Sequence, residues 1–181
     1  FIIDTVGPVI TNFQHIPGTT NNTTPSITFT TSEDGKIESN LPFTGDGQLN
    51  SGVNTITFSS LSDGTYSGKY VDIFDDLNNK TSVNLNSFVI DTVNPVINIT
   101  NDIPSPSSYT TQSLTFTSDK PGSVTSTMIF SDGESYQDVV SGSNTVIFHL
   151  LSNGTYSTET ITVTDFAGNQ TTVTVPEFII D

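Results

Sequence analysis

The sequence predicts an all-β chain of two tandem sandwiches, on three observations. The first is a repeat: Phe88-Val89-Ile90-Asp91-Thr92-Val93-Asn94-Pro95-Val96-Ile97 also occurs as Phe1-Ile2-Ile3-Asp4-Thr5-Val6-Gly7-Pro8-Val9-Ile10 and begins again as Phe178-Ile179-Ile180-Asp181. The copies start at residues 1, 88 and 178, so the units are 87 and 90 residues long, which is domain size. The second is the absence of helix signals: short runs of Val, Ile, Thr, Phe and Tyr alternate with Asp34-Gly35, Asp46-Gly47, Asp63-Gly64, Asp132-Gly133 and Asn153-Gly154 turns. The third is that apolar pairs with a period of two recur at matched positions in both halves, as two facing sheets require. Residues 1–87 and 88–177 are therefore expected as domains, with 178–181 opening a further repeat.

In the first repeat, strand A is expected near residues 9–13, B at 26–31 and C at 36–43. A short D near Gln48 precedes E at 54–59, F at 65–74 and G at 80–85. The second repeat gives A at 96–100, B at 113–118, C at 124–130, D at 136–139, E at 144–149, F at 155–164 and G at 170–175. Seven strands in about 90 residues is the count of an immunoglobulin-like sandwich. Leu61-Ser62-Asp63-Gly64-Thr65-Tyr66 matches Leu151-Ser152-Asn153-Gly154-Thr155-Tyr156. A tyrosine opening strand F at that corner ties its hydroxyl to the corner backbone in such sandwiches. The expected core is Ile27, Phe29, Ile56, Phe58, Val71 and Ile73, with Leu114, Phe116, Val146, Phe148, Ile161 and Val163 in the second repeat.

Composition narrows function. Of 181 residues, 19 are acidic and four are basic, Lys36, Lys69, Lys80 and Lys120, giving a formal charge of −15. That disfavours nucleic acid and anionic membrane surfaces, which need a basic footprint, and makes divalent cations plausible partners. There is no cysteine, so disulfides, thiolate metal sites and cysteine nucleophiles are excluded. No apolar run approaches bilayer-spanning length and no signal peptide is evident; in an excised segment that absence does not bear on secretion.

Asp165-Phe166-Ala167-Gly168-Asn169, a Thr-rich strand and then Phe178-Ile179-Ile180-Asp181 resemble the bacterial Ig-like repeats of giant cell-surface adhesins and biofilm-associated proteins. Those repeats run Asp-x-Ala-Gly-Asn, strand, hydrophobic-Asp-Thr-x-x-Pro. The resemblance covers essentially the whole chain, although Asp75-Asp76-Leu77-Asn78-Asn79 lacks the Ala-Gly pair. It implies an extracellular stalk or spacer segment, with neighbouring Ig-like repeats as its partners and calcium stiffening the joints. The parent protein's host or matrix ligand would be bound elsewhere.

The residues supply a candidate calcium set of their own. In a seven-strand sandwich the B–C and F–G loops lie at the end where strand A enters. Asp91 is thus expected near Asp165 and Asn169 of the F–G loop and Asp119 of the B–C loop, with Asp63 of the preceding corner facing them. The first-repeat equivalents are Asp4, Asp34 or Glu33, Asp75 and Asn79. Converging carboxylate and amide oxygens suit Ca²⁺, a hard cation taking 6–8 oxygens, better than octahedral Mg²⁺. The competing reading is turn chemistry alone, with these aspartates capping backbone N–H groups.

Other chemistry has less support. His15 and His149 sit at non-equivalent positions, and no nucleophile, base and orienter assemble around either. The acids lie mostly in turns, and mid-strand Glu159 has no evident partner for glycosidase chemistry. No lysine faces a strand asparagine beside a buried acid as an isopeptide crosslink requires. Thr160, Thr162 and Thr164 fit a solvent face as well as an ice-binding array. Asn-x-Thr sequons at Asn21, Asn22, Asn79, Asn98, Asn153 and Asn169 follow from abundant Asn and Thr. An enzyme is not expected; the alternatives to a stalk are a carbohydrate- or protein-binding module, a surface-layer repeat or a module of a secreted enzyme.

Overall fold

The computed structural model describes residues 3–181; Phe1 and Ile2 of the first joint copy lie outside the described residues. The chain divides into two compact units, the first ending at Thr92 and the second running from Val93 to Asp181. Each is an all-β sandwich.

The first unit's strands are β1 (Ile10–Gln14), β2 (Thr19–Thr20), β3 (Ser26–Thr31), β4 (Gly35–Ser39) and β5 (Gln48–Leu49), then β6 (Gly52–Thr57), β7 (Gly64–Tyr66), β8 (Tyr70–Asp75), β9 (Lys80–Asn84) and β10 (Phe88–Ile90). One sheet has the order β1-β3-β6 and the facing sheet β5-β4-β8-β9. On β3 and β8 alternate residues are buried, so Ile27, Phe29, Val71 and Ile73 point between the sheets. All twelve residues expected in the two cores are buried. The second unit repeats the plan with β11 (Ile97–Asn101), β12 (Gln112–Ser118), β13 (Gly122–Ser126), β14 (Gln137–Val139) and β15 (Gly142–Phe148), then β16 (Gly154–Tyr156), β17 (Thr160–Asp165), β18 (Gln170–Thr174) and β19 (Phe178–Ile180). Its sheets are β11-β12-β15 and β14-β13-β17-β18.

Three expectations about elements are corrected. Strand C stops at Ser39, because Leu41 turns and Pro42 has no N–H to continue the ladder, and Phe43 meets Phe58 only as an isolated bridge. Strand F is two strands, β7 and β8, broken around Gly68, whose φ is +62°. Most consequential, the joint motif does not begin the next domain. Phe88–Ile90 pairs in parallel with Thr19–Thr20 and antiparallel with Gly64–Tyr66, and both Phe88 and Ile90 are buried in the first unit's core. The division therefore falls between Thr92 and Val93. Phe178–Ile180 likewise pairs with Gly154–Tyr156 and completes the second unit's own core.

Both corner tyrosines tie back as expected. The Tyr66 hydroxyl donates to the Ser62 carbonyl at 2.8 Å and the Tyr156 hydroxyl to the Ser152 carbonyl at 2.9 Å.

Two glycines fix the end of the sandwich that carries the acids. Gly35 lies opposite Asp75 and Gly122 opposite Asp165 in the β4–β8 and β13–β17 ladders. A Cβ on Gly35 would sit 1.9 Å from the Phe74 carbonyl oxygen, and one on Gly122 2.0 Å from that of Thr164. This close approach brings the loop before each glycine against the turn that follows β8 or β17.

Candidate metal centre

The turn after β8 is built on Asp75. Its Oδ1 accepts the N–H groups of Leu77 and Asn79, each at 2.8 Å, and its Oδ2 accepts the Asn79 side-chain amide at 2.7 Å. The second unit repeats this with Asp165, whose Oδ1 accepts from Ala167 and Asn169 at 2.9 Å while Asn169 Nδ2 reaches Oδ2 at 3.0 Å. The missing Ala-Gly pair does not alter the turn. Asn78 adopts a φ of +66° where Gly168 has +93°, and asparagine tolerates that region better than most side chains.

Both carboxylates are buried, which by itself raises their pKa. The hydrogen bonds outweigh burial. Those from the Asn79 side chain, the Asn79 N–H and the Leu77 N–H hold Asp75 below the ordinary aspartate value of 3.8. Those from the Asn169 side chain and N–H, with Lys120 after them, do the same for Asp165. Each turn therefore presents a charged carboxylate at the end of its sandwich.

In the first unit that carboxylate meets two others. Ligand oxygens of Asp4, Glu33 and Asp75 all lie within 4.8 Å of one another, with Asp75 buried, Glu33 half-buried and Asp4 exposed. They line a cleft of about 320 Å³ together with Asp34, Asp76 and Leu77. A carboxylate oxygen accepts about two hydrogen bonds. Asp75 Oδ2 receives one, from Asn79, among the described residues. Three converging carboxylates with an unused lone pair on the most buried of them fit a hard divalent cation; the oxygen-only donor set fits Ca²⁺ or Mg²⁺ better than the soft, sulfur-preferring metals.

The other expected ligands have visible tasks. Asn79 acts as a donor, its amide nitrogen also reaching the Asp4 carbonyl at 3.1 Å, so it orients Asp75. Asp34 lines the cleft, but its Oδ1 accepts the Ser51 N–H at 2.7 Å, and Glu33 is the loop acid in the cluster. Of the residues expected at the central joint, Asp63 and Asp91 belong to the first unit, and Asp119, Asp165 and Asn169 to the second. The Asp63 carboxylate accepts the Thr92 N–H at 3.1 Å and its hydroxyl at 2.9 Å. Asp91 follows β10, its N–H donating to the Thr20 carbonyl at 3.1 Å. Asp119 accepts the Val96 N–H at 2.7 Å, as Ser32 accepts that of Val9 at 2.9 Å.

Sequence reasoning missed the partner of Asp165. Lys120 Nζ lies 3.1 Å from its Oδ2, and the lysine is largely covered. The repeat offset carried the signal, because 87 residues before Lys120 stands Glu33. Glu159, which had no evident partner, accepts the Thr127 hydroxyl.

No protein-family model and no curated protein matches the sequence. Among solved structures, the fibronectin(III)-like modules of Clostridium thermocellum CbhA match with a TM-score of 0.56 and 12% identity, over 96% of this chain and 94% of that one. A chimeric titin Z1Z2 gives a TM-score of 0.38 at 11% identity, over 99% of both chains. The adhesin InvE of Yersinia pseudotuberculosis gives 0.34 at 13% identity, over 97% of this chain and 60% of that one. At these identities the likeness is one of fold, and the chain has the all-β sandwich fold of the CbhA fibronectin(III)-like modules.

Proposed function

We propose that the chain is a spacer segment of a long extracellular repetitive surface protein, with calcium stiffening it at the end of the sandwich where strand A enters. The observation that carries the calcium reading is the convergence of Asp4, Glu33 and Asp75, whose ligand oxygens all lie within 4.8 Å of one another. Ion binding there joins the segment preceding β1, which carries Asp4, to the B–C loop and the F–G turn. Freedom of that segment is thereby reduced. The spacer reading draws support from the near-identical joint motifs of the repeats and from the brevity of the connection, since six residues separate Ile90 at the end of β10 from Ile97 at the start of β11. Among the described residues, no helix is long and apolar enough to cross a membrane.

The test is a melting curve in EDTA and in millimolar calcium, with small-angle scattering on both samples. An ion bound to the native state at 100 times its dissociation constant stabilises by about 2.7 kcal/mol. The expected result is a raised melting temperature and a narrower, longer scattering profile in calcium, with a smaller response to magnesium. Glu33→Gln should blunt the response. An unchanged curve in both ions would reduce Asp4, Glu33 and Asp75 to turn residues.

A second reading, recognition of a sugar or protein, is favoured by the exposure of Tyr109 and Phe166, each with about three quarters of its surface accessible (75% and 73%). Binding to a glycan or matrix-protein panel that is lost in Tyr109→Ala or Phe166→Ala would favour it over the spacer.

A further inference from the structure

At the acidic end of the sandwich the two units carry opposite charges at one matched position. The β1–β3 and β11–β12 registers pair Ile10 with Thr31 and Ile97 with Ser118, so Thr31 corresponds to Ser118, Ser32 to Asp119 and Glu33 to Lys120. Both Ser32 and Asp119 hold the backbone N–H that begins strand A, and both Gly35 and Gly122 close the same approach, which fixes the alignment on either side. In the first unit the residue between points a carboxylate at Asp75. In the second it points an ammonium at Asp165.

The oxygens show what that ammonium does. Asp165 Oδ2 accepts from Asn169 Nδ2 at 3.0 Å and from Lys120 Nζ at 3.1 Å, so the acceptor position that Asp75 Oδ2 leaves unused is filled. Lys120 also donates to the Val93 carbonyl at 2.5 Å. The ammonium's oxygen neighbours thus include a carboxylate and a backbone carbonyl, the kinds that coordinate a hard cation.

We propose that Lys120 is a tethered cation standing where a divalent metal would otherwise bind, so that this end of the second unit takes no metal and metal dependence is confined to the first. The proposal rests on the reading of Asp4, Glu33 and Asp75 as a cation site for its contrast between units, although the role of Lys120 itself is testable without it. One sandwich plan then exists in two electrostatic versions, one completed by an ion from solution and one self-contained. The Glu33-to-Lys120 difference supplies the ammonium, and Asp34 and Asp76, which also line the first unit's cleft, are matched by the uncharged Pro121 and Phe166.

The experiment is calcium titration of the whole chain by calorimetry, with amide NMR spectra reporting on Leu77–Asn79 and Ala167–Asn169, for wild type, Glu33→Lys, Lys120→Glu and Lys120→Gln. In wild type, calcium should shift the amides around Asp75 and leave those around Asp165 in place. Glu33→Lys should weaken the first response by about tenfold or more, since ligand charge sets calcium affinity. Lys120→Glu should bring a calcium response to Ala167–Asn169. Lys120→Gln needs no metal to read: the Asp165 carboxyl should titrate at higher pH than in wild type. A calcium shift at Ala167–Asn169 with Lys120 in place would overturn the proposal. So would a folded Lys120→Glu variant with no response there, or an Asp165 titration unmoved by Lys120→Gln. Absence of any wild-type response at Leu77–Asn79 would instead sink the first-unit cation site, while the two Lys120 variants still judge this assignment.

Discussion

Phe88 stacks on Tyr66, with ring centroids 5.1 Å apart and planes 8° from parallel, and Phe178 stacks on Tyr156 in the same way at 4.8 Å and 2°. The repeated joint motif is thereby fastened to the tyrosine corner inside each unit. Phe88→Ala should cost about 3–5 kcal/mol, as a deleted core phenylalanine does, read from urea unfolding. A fragment ending at Thr92 should unfold cooperatively, and one ending at Ser87 should not. Equal stability of the two fragments would show that β10 is dispensable.

The corner itself is separable from the stack. Tyr66→Phe and Tyr156→Phe keep the ring and remove only the bond to the Ser62 or Ser152 carbonyl. Each should destabilise its unit by about 1 kcal/mol. A loss comparable to that of Phe88→Ala would mean that the hydroxyl does more than close the corner.

Gly122→Ala would set a methyl against the Thr164 carbonyl oxygen, a backbone atom that cannot swing aside. The strand must shift, at a cost of about 2 kcal/mol or more, and the Lys120–Asp165 pair should loosen with it. Chemical denaturation gives the first number, and the Asp165 titration reads the second. An alanine accommodated without loss would refute the close approach.

Acid should act through the two buried turn aspartates. Their folded pKa values lie below the ordinary 3.8, so the stability they contribute is complete above that value and is lost as pH falls through the lowered folded pKa. Stability should therefore be flat from about pH 7 to pH 5 and fall steeply below about pH 4. In Asp75→Asn, the amide nitrogen would face the Asn79 donor. That variant should be less stable than wild type at neutral pH, and the gap should narrow toward pH 2 in melts at stepped pH.

Much of the fold was legible because alternation is local. Ile27 and Phe29 announce a buried strand face within three residues, and Leu61 to Tyr66 announces the corner within six. The role of Phe88-Val89-Ile90 was not legible. A repeat can be cut at any phase without changing its period, and the phase here is set by pairing to Thr19–Thr20 and Tyr66, which no local pattern reports. The site divides in the same way. The aspartate turns followed from Asp75 and Asn79, and from Asp165 and Asn169. The opposition of Glu33 and Lys120 was hidden because the acids of the two loops, Glu33 and Asp34 in one and Asp119 in the other, lie one residue out of register.

The parallel seating of β10 beside β2 governs how a unit would meet tension. Val89 and Asp91 donate to the Gly18 and Thr20 carbonyls, at 2.9 and 3.1 Å. Tension across this pair acts on the N-terminal side of β2 and the C-terminal side of β10. Between parallel neighbours these are opposite ends, so the bonds are sheared together rather than unzipped one after another. Val89 also pairs with Thr65 on its other side, so the strand that takes the load is clamped from both edges.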